Sequence, residues 1–270
     1  MRTLFDPQKL LIIAGPCALE SRELAFEVAH YLLEIQKVCP EVEIIFKTSC
    51  DKANRSSVHS QRGVGFDQGL PILRELKEST GLPIICDVHL PEHAMRVAEV
   101  CDVLQIPAFL CRQTDLLRAA AETGRVIAVK KGQFLSPEEM RFVFEKLKIF
   151  GATEIWPMER GATFGYHNLV VDMRSFPIMR QFSPVAIFDA THSVQIPGTS
   201  AGVTMGHREF VENLAYAALS AGANGLFFEV HTDPDRAICD AANQLDVHNF
   251  LDVVRNCVRF WLLRRTIENA

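Results

Sequence analysis

Residues able to do chemistry recur behind short apolar runs along this chain: Cys17, Lys47, Asp87 with His89, Gln105, Lys130 with Lys131, Arg160, Asp189 with His192, and Glu229 with His231. Cys17, His192, Glu229 and Asp240 offer one soft, one borderline and two hard donors. That set suits a divalent metal ion such as Fe²⁺, Zn²⁺ or Mn²⁺ better than Mg²⁺ or Ca²⁺. On spacing alone the same residues read as a buried thiol beside a catalytic histidine and a carboxylate pair. His59, His89, His167 and His231 compete as ligands or phosphate donors. The cations form a second set: Lys47, Lys52, Arg55, Arg112, Lys130, Lys131 and Arg160. Cations gathered in a chain of net charge −5 point to an anionic substrate carrying phosphate or carboxylate. The stretch Asp51-Lys52-Ala53-Asn54-Arg55-Ser56-Ser57 adds amide, guanidinium and hydroxyl donors, and two separate clusters suit two phosphorylated ligands.

The elements that must position these groups alternate. Apolar, β-branched runs at 10–17, 43–50, 82–89, 103–108, 125–131, 154–160, 185–192 and 225–231 read as strands. Amphipathic stretches at 21–39, 67–80, 91–100, 113–123, 136–150, 172–182, 207–221 and 246–267 read as helices, with Ser136, Pro137 and Glu139 forming a start signal. Nearly continuous apolar strands separated by helices belong to a parallel sheet covered on both faces. Eight such units in about 250 residues predict a single-domain (β/α)₈ TIM barrel over residues 1–270. A doubly wound open sheet is the rival, but no G-x-G-x-x-G follows the first strand. In a barrel, catalytic side chains sit at the C-terminal ends of the strands, where the residues above fall. Closure makes strands one, seven and eight neighbours, so Cys17, His192 and Glu229 converge, and Asp240 completes four ligands.

Composition narrows the class further. A 48% hydrophobic chain of 270 residues builds one substantial core, and its net negative charge is the wrong sign for coating nucleic acid. No apolar run approaches the roughly 20 residues of a membrane helix. The eight scattered cysteines without a C-x-x-C pair, and the lack of a secretory signal, predict buried or metal-binding thiols rather than a disulfide framework, most of them small core hydrophobes, in a cytoplasmic protein.

Longer motifs make the sequence recognisable. Ala14-Gly15-Pro16-Cys17, Phe46-Lys47, residues 51–57, 105–115, Val129-Lys130-Lys131-Gly132-Gln133-Phe134, Phe164-Gly165-Tyr166 with 168–172, and Asp189-Ala190-Thr191-His192-Ser193-Val194-Gln195 resemble those of the 3-deoxy-D-manno-octulosonate 8-phosphate synthase family. The match runs from about residue 10 to the C-terminal helix. Ala-Gly-Pro-Cys alone is shared with 3-deoxy-D-arabino-heptulosonate 7-phosphate synthases, which use erythrose 4-phosphate.

The resemblance implies a homotetramer of barrels that condenses phosphoenolpyruvate with D-arabinose 5-phosphate and water, in lipopolysaccharide synthesis. Cys17, where other members carry Asn, implies the metal-dependent class, with Cys17, His192, Glu229 and Asp240 as ligands. It assigns phosphoenolpyruvate to Lys47, Lys52, Gln105, the backbone at Ala108, Lys130 and Arg160, with Lys130 and Arg160 on the phosphate and Lys52 near the carboxylate. Arabinose 5-phosphate falls to Asn54, Arg55 and Ser56, with Arg112 from a neighbouring subunit. Lys47, Lys52 and His192 are the catalytic candidates, Lys47 as proton donor to the aldehyde oxygen. A Schiff-base aldolase using Lys130 and a non-catalytic sugar-phosphate binder are the rival classes. The chain departs from the family at Gly206-His207-Arg208, where paired glycines commonly precede the arginine, at Cys50 in place of Phe, and at Cys86 in place of Thr.

Overall fold

A computed structural model describes residues 4–55, 57–163, 168–196 and 205–268. Eight parallel strands make the barrel: β1 (Leu10–Gly15), β2 (Val42–Lys47), β3 (Ile84–Asp87), β4 (Val103–Ile106), β5 (Val126–Lys130), β6 (Ile155–Glu159), β7 (Ile187–Asp189) and β8 (Gly225–His231). Each pairs with its neighbours in chain order, and β1 pairs with both β2 and β8, so the sheet closes. The expected (β/α)₈ TIM barrel is the observed fold. Among the described residues eight α-helices alternate with the strands: α1 (Arg22–Val38), α2 (Gly65–Thr80), α3 (Pro91–Ala98), α4 (Thr114–Glu122), α5 (Met140–Ile149), α6 (Ser175–Met179), α7 (Val211–Ser220) and α8 (Phe250–Glu268).

The two-residue period of a strand divides the buried side chains into two layers. Leu11, Ile13, Ile45, Ile85, Val103, Ala128, Met158, Ile187 and Phe227 pack together as one cluster, with Leu4 and Phe5 against it. Leu10, Ile12, Ile44, Phe46, Ile84, Leu104, Ile127 and Phe228 join the larger core with the helices. The first cluster fills the barrel, and the second cements strands to helices.

Several expected boundaries shrink. The run 185–192 keeps only Ile187–Asp189 as strand, because Thr191 and His192 turn into a 3₁₀ turn. The run 172–182 keeps five helical residues. The Ser136–Glu139 capping box forms, with each side chain taking the other's backbone N–H. It caps a tighter turn whose bonds run three residues apart, so α5 begins at Met140. Two short antiparallel pairs, Ala162–Thr163 with Leu169–Val170 and Gln195–Ile196 with Met205–Gly206, and the segment Leu245–Asp246 beside β8 carry no periodic signal in the sequence. Ser56, His167, the Phe164-Gly165-Tyr166 motif and residues 197–204 lie outside the described residues.

Candidate active site and metal centre

The alternation that fills the barrel also aims the chemistry. Two residues beyond Ile45, Ile85, Val103, Ala128, Met158, Ile187 and Phe227 stand Lys47, Asp87, Gln105, Lys130, Arg160, Asp189 and Glu229, in the same inward phase. All seven are buried. Lys131 and Glu159 are out of phase. They meet each other instead, 3.4 Å apart, and Lys131 also donates to the Leu135 carbonyl. Lys131 therefore separates from Lys130, with which the sequence had grouped it.

Register brings the distant segments together. Gly15 lies opposite Glu229 and Phe227 opposite Asp189 across the closing strands. Gly15 has a φ of +155°, and a Cβ there would stand 2.0 Å from the Lys47 carbonyl oxygen. Only glycine lets β1 pass that close to β2, and the passage delivers Cys17 over Lys47. The Lys47 Nζ donates to the Cys17 carbonyl at 3.1 Å and to Glu229 Oε1 at 2.6 Å. Lys52 Nζ lies 3.9 Å from the same Glu229 oxygen. Burial alone would raise the Glu229 carboxyl, but His192, Lys47, Lys52 and Lys130 outweigh it and hold it at about 2. Burial works against the Lys47 and Lys52 ammonium groups as well, and the Glu229 carboxylate beside them keeps both charged.

The second ion pair sits across the mouth. Lys130 Nζ donates to Asp189 Oδ2 and lies 3.3 Å from His192 Nδ1 and 3.7 Å from the centre of the Phe227 ring. Asp189 Oδ1 in turn accepts the His192 backbone N–H and contacts His192 Nδ1, each at 3.0 Å. Burial pulls the Lys130 ammonium below its ordinary range even with Asp189 beside it. Asp189 is driven far below the carboxylate range: burial opposes this, but His192 and Lys130 prevail. Asp189 was visible as a strand-end residue, yet nothing in the sequence said that it orients His192. Arg160 donates to Gln195, which donates to Asp240. Its other terminal nitrogen, Nη1, is buried without a partner among the described residues.

With Nδ1 held by Asp189, His192 presents Nε2 to Glu229 Oε1 at 3.5 Å and to Asp240 Oδ2 at 3.7 Å. Cys17 Sγ donates to the same Asp240 oxygen at 3.2 Å. Donors held tetrahedrally about 2.0–2.3 Å from one ion lie roughly 3.3–3.8 Å apart, so the spacing of His192 from Glu229 and Asp240 fits a cation among those three, while Cys17 comes to such a distance from Asp240 and groups with Cys239 rather than with His192 and Glu229. Glu229 Oε2 is buried with no partner among the described residues, a donor left over for such an ion. Burial, and after it the Cys239 side chain, raises the Cys17 thiol well above its usual value. The thiol therefore keeps its proton until a cation supplies the missing charge. Asp240 carries the one positive φ of a non-glycine residue, +49°, among the described residues. Its carbonyl also takes the N–H groups of Asn243 and Gln244.

The anion-binding residues are less tightly gathered. Gln105 Nε2 and Ser49 Oγ both donate to Asp87, leaving Gln105 Oε1 buried without a partner among the described residues. Ala108 is buried at the end of β4. Arg55 reaches the Ile238 carbonyl at 3.2 Å, whereas Asn54 and Arg112 point into solvent. Lys146 holds the Arg112 carbonyl. His231 leaves the ligand group and pairs with Glu20 at 3.5 Å. His89 and His93 face each other beside Phe66. Cys50 and Cys86 fill one pocket, sulfurs 3.8 Å apart, with the helix layer over them. At Gly206 a Cβ would stand 1.5 Å from Oδ1 of the buried Asn243, so glycine is retained there and the departure falls on His207, whose ring meets Glu209.

Against known proteins, the chain matches the DAHP synthetase I family over residues 6–257. A 2-dehydro-3-deoxyphosphooctonate aldolase of Nitratidesulfovibrio vulgaris is 50% identical over 252 residues, covering 93% of this chain and 92% of its own. Proteins of the same name from Trichlorobacter lovleyi and Caulobacter vibrioides are 53% identical over 236 residues and 51% identical over 253. They cover 87% and 94% of this chain, and 86% and 88% of their own lengths.

Proposed function

Because the chain belongs to the DAHP synthetase I family, we propose that it condenses phosphoenolpyruvate with D-arabinose 5-phosphate and water. The products are 3-deoxy-D-manno-octulosonate 8-phosphate and inorganic phosphate, in lipopolysaccharide biosynthesis. The observation that carries this reading is the inward ring of Lys47, Lys130, Arg160, Asp189 and Glu229 in a chain half identical to relatives bearing that activity's name.

Lys130 and Arg160 supply two buried cations for the phosphate of phosphoenolpyruvate, and Lys52 a third for its carboxylate. Carbon 3 of the enol then attacks the aldehyde carbon of the pentose, water adds at carbon 2, and the hemiketal phosphate collapses by carbon–oxygen cleavage. Lys47, kept charged by Glu229, holds a proton for the new alkoxide. Fixing two anions in register supplies much of the rate. Cys17, His192, Glu229 and Asp240 would hold Fe²⁺, Zn²⁺ or Mn²⁺, which when bound supplies Lewis-acid polarisation or a more acidic water.

The pentose phosphate falls to Asn54, Arg55 and Ser56, and Arg112 completes the site of a neighbouring subunit in a homotetramer. We read the chain as one cytoplasmic catalytic domain over 1–270; no described helix is long and apolar enough to cross a membrane. Light scattering of the full chain checks the assembly.

The test is phosphate release from phosphoenolpyruvate with arabinose 5-phosphate, and in parallel with erythrose 4-phosphate, with and without chelator. Turnover of the pentose that chelator abolishes and Fe²⁺, Mn²⁺ or Zn²⁺ restores is the expected result. Chelator-resistant turnover overturns the metal assignment, and preference for erythrose 4-phosphate overturns the substrate. A borohydride adduct on Lys130 would indicate the Schiff-base route.

A further inference from the structure

A second group of donors overlaps the first. Cys239, one residue before Asp240, is buried against Cys17, and Cys17, Cys239 and Asp240 bring their ligand atoms within 4.8 Å of one another. His192, Glu229 and Asp240 do the same on the other side, so Asp240 belongs to both groups. In the sequence Cys239 is one of eight scattered cysteines, and a single cysteine far down the chain from Cys17 gives no pairing signal.

The placement of Cys239 is built, not incidental. Gln244, fully buried, accepts the Cys17 backbone N–H through Oε1 at 3.3 Å and donates through Nε2 to the Cys239 carbonyl at 2.9 Å. One amide side chain thus staples the two cysteine backbones side by side. The left-handed turn at Asp240 then places its carboxylate beside both sulfurs.

We propose that Cys239 is a second thiolate donor of the metal centre. With Cys17 and Asp240 it forms a sulfur-rich face that takes soft or borderline cations such as Cd²⁺ and Zn²⁺. His192, Glu229 and Asp240 form the nitrogen and oxygen face that suffices for a harder ion such as Mn²⁺. Each thiol that ligates gives its proton to solvent, so a soft ion displaces two protons where a single-cysteine site displaces one. The inference rests on the metal reading of the preceding section.

The experiment titrates the metal-stripped full-length chain with Cd²⁺, following the thiolate-to-cadmium absorption in the ultraviolet, and with Mn²⁺, following the free ion by paramagnetic resonance. It compares wild type, Cys17→Ser, Cys239→Ser and Cys239→Ala, with thermal melts of the stripped proteins to show that each is folded. Cys239→Ser is expected to halve the absorption per Cd²⁺ and to weaken Cd²⁺ by at least roughly tenfold, the loss that even the outer partners of a ligand cause. Mn²⁺ affinity stays close to wild type. If Cys239→Ser keeps the full absorption while Cys17→Ser loses it, the second thiolate is overturned and the metal centre stands. Full absorption in both variants overturns the centre itself. Should Cys239→Ser fail to fold, Cys239→Ala and the count of protons released per Cd²⁺ by wild type decide the point. Two protons support the proposal and one overturns it.

Discussion

Arg62 reaches back across the loop after β2 and grips both oxygens of Asp51, Nε to Oδ1 at 2.7 Å and Nη2 to Oδ2 at 2.5 Å. Its own carbonyl accepts the Lys52 backbone N–H at 2.8 Å, so the two ends of the loop bearing Lys52, Asn54 and Arg55 are clasped twice. Arg62 is half exposed, and such a pair contributes only about 0.2–1 kcal/mol to stability. Its effect falls on loop geometry. Arg62→Ala is expected to raise the KM for arabinose 5-phosphate several-fold with kcat nearly unchanged and the melting temperature lowered only by the few degrees that such a pair is worth. Steady-state kinetics with saturating phosphoenolpyruvate reads this out, and an unchanged KM would sink the clasp.

The same pair carries a pH signature. Burial would raise the Asp51 carboxyl, but Arg62 foremost, with His89 and His93 behind it, lowers it. A carboxyl depressed on folding stabilises above its unfolded value of about 3.9 and loses that contribution as pH falls through the lower folded value. The difference in melting temperature between wild type and Arg62→Ala should therefore be present near neutral pH and shrink below the ordinary carboxylate range. A difference that grows on acidification contradicts the assignment.

Among the described residues Glu229 is the single carboxylate within ion-pair distance of both Lys47 and Lys52. Removing one partner of a buried pair leaves an uncompensated charge and costs about 3–5 kcal/mol. Glu229→Gln should lose stability on that scale in urea denaturation of metal-stripped protein. Adding Lys47→Met should recover part of it. A loss comparable to that of a surface substitution would mean that water reaches the lysines.

Asp189 acts through two neighbours, neutralising Lys130 and fixing the His192 ring. Outer partners of metal-binding histidines typically set roughly 10–100-fold in affinity. Asp189→Asn is expected to weaken Zn²⁺ by that order in competition with a chromophoric chelator, and also to raise the KM for phosphoenolpyruvate. Asp189→Glu should recover part of the metal affinity. If metal affinity stays at the wild-type level while KM rises, Asp189 serves Lys130 alone.

Much of this protein is legible in its residues taken in order. Alternation of period two fills the barrel with Ile45, Ile85, Ala128, Ile187 and Phe227, and the same alternation carried two residues onward aims Lys47, Asp87, Lys130, Asp189 and Glu229 inward. Local backbone geometry requires this, so strand count and most of the ring follow from patterning alone. It also separates Lys130 from Lys131, a distinction written in the sequence that only the phase of the strand reveals. What tertiary structure decided lies in irregular backbone, where no period operates. The left-handed turn at Asp240, the Gln244 staple between Cys17 and Cys239, the 3₁₀ turn that presents His192 and the Arg62 clasp depend on contacts between segments far apart in the chain or on loop paths set by their ends. Residue types announce which donors are available. Only closure of the barrel sets β1 beside β8 and determines which of those donors come together.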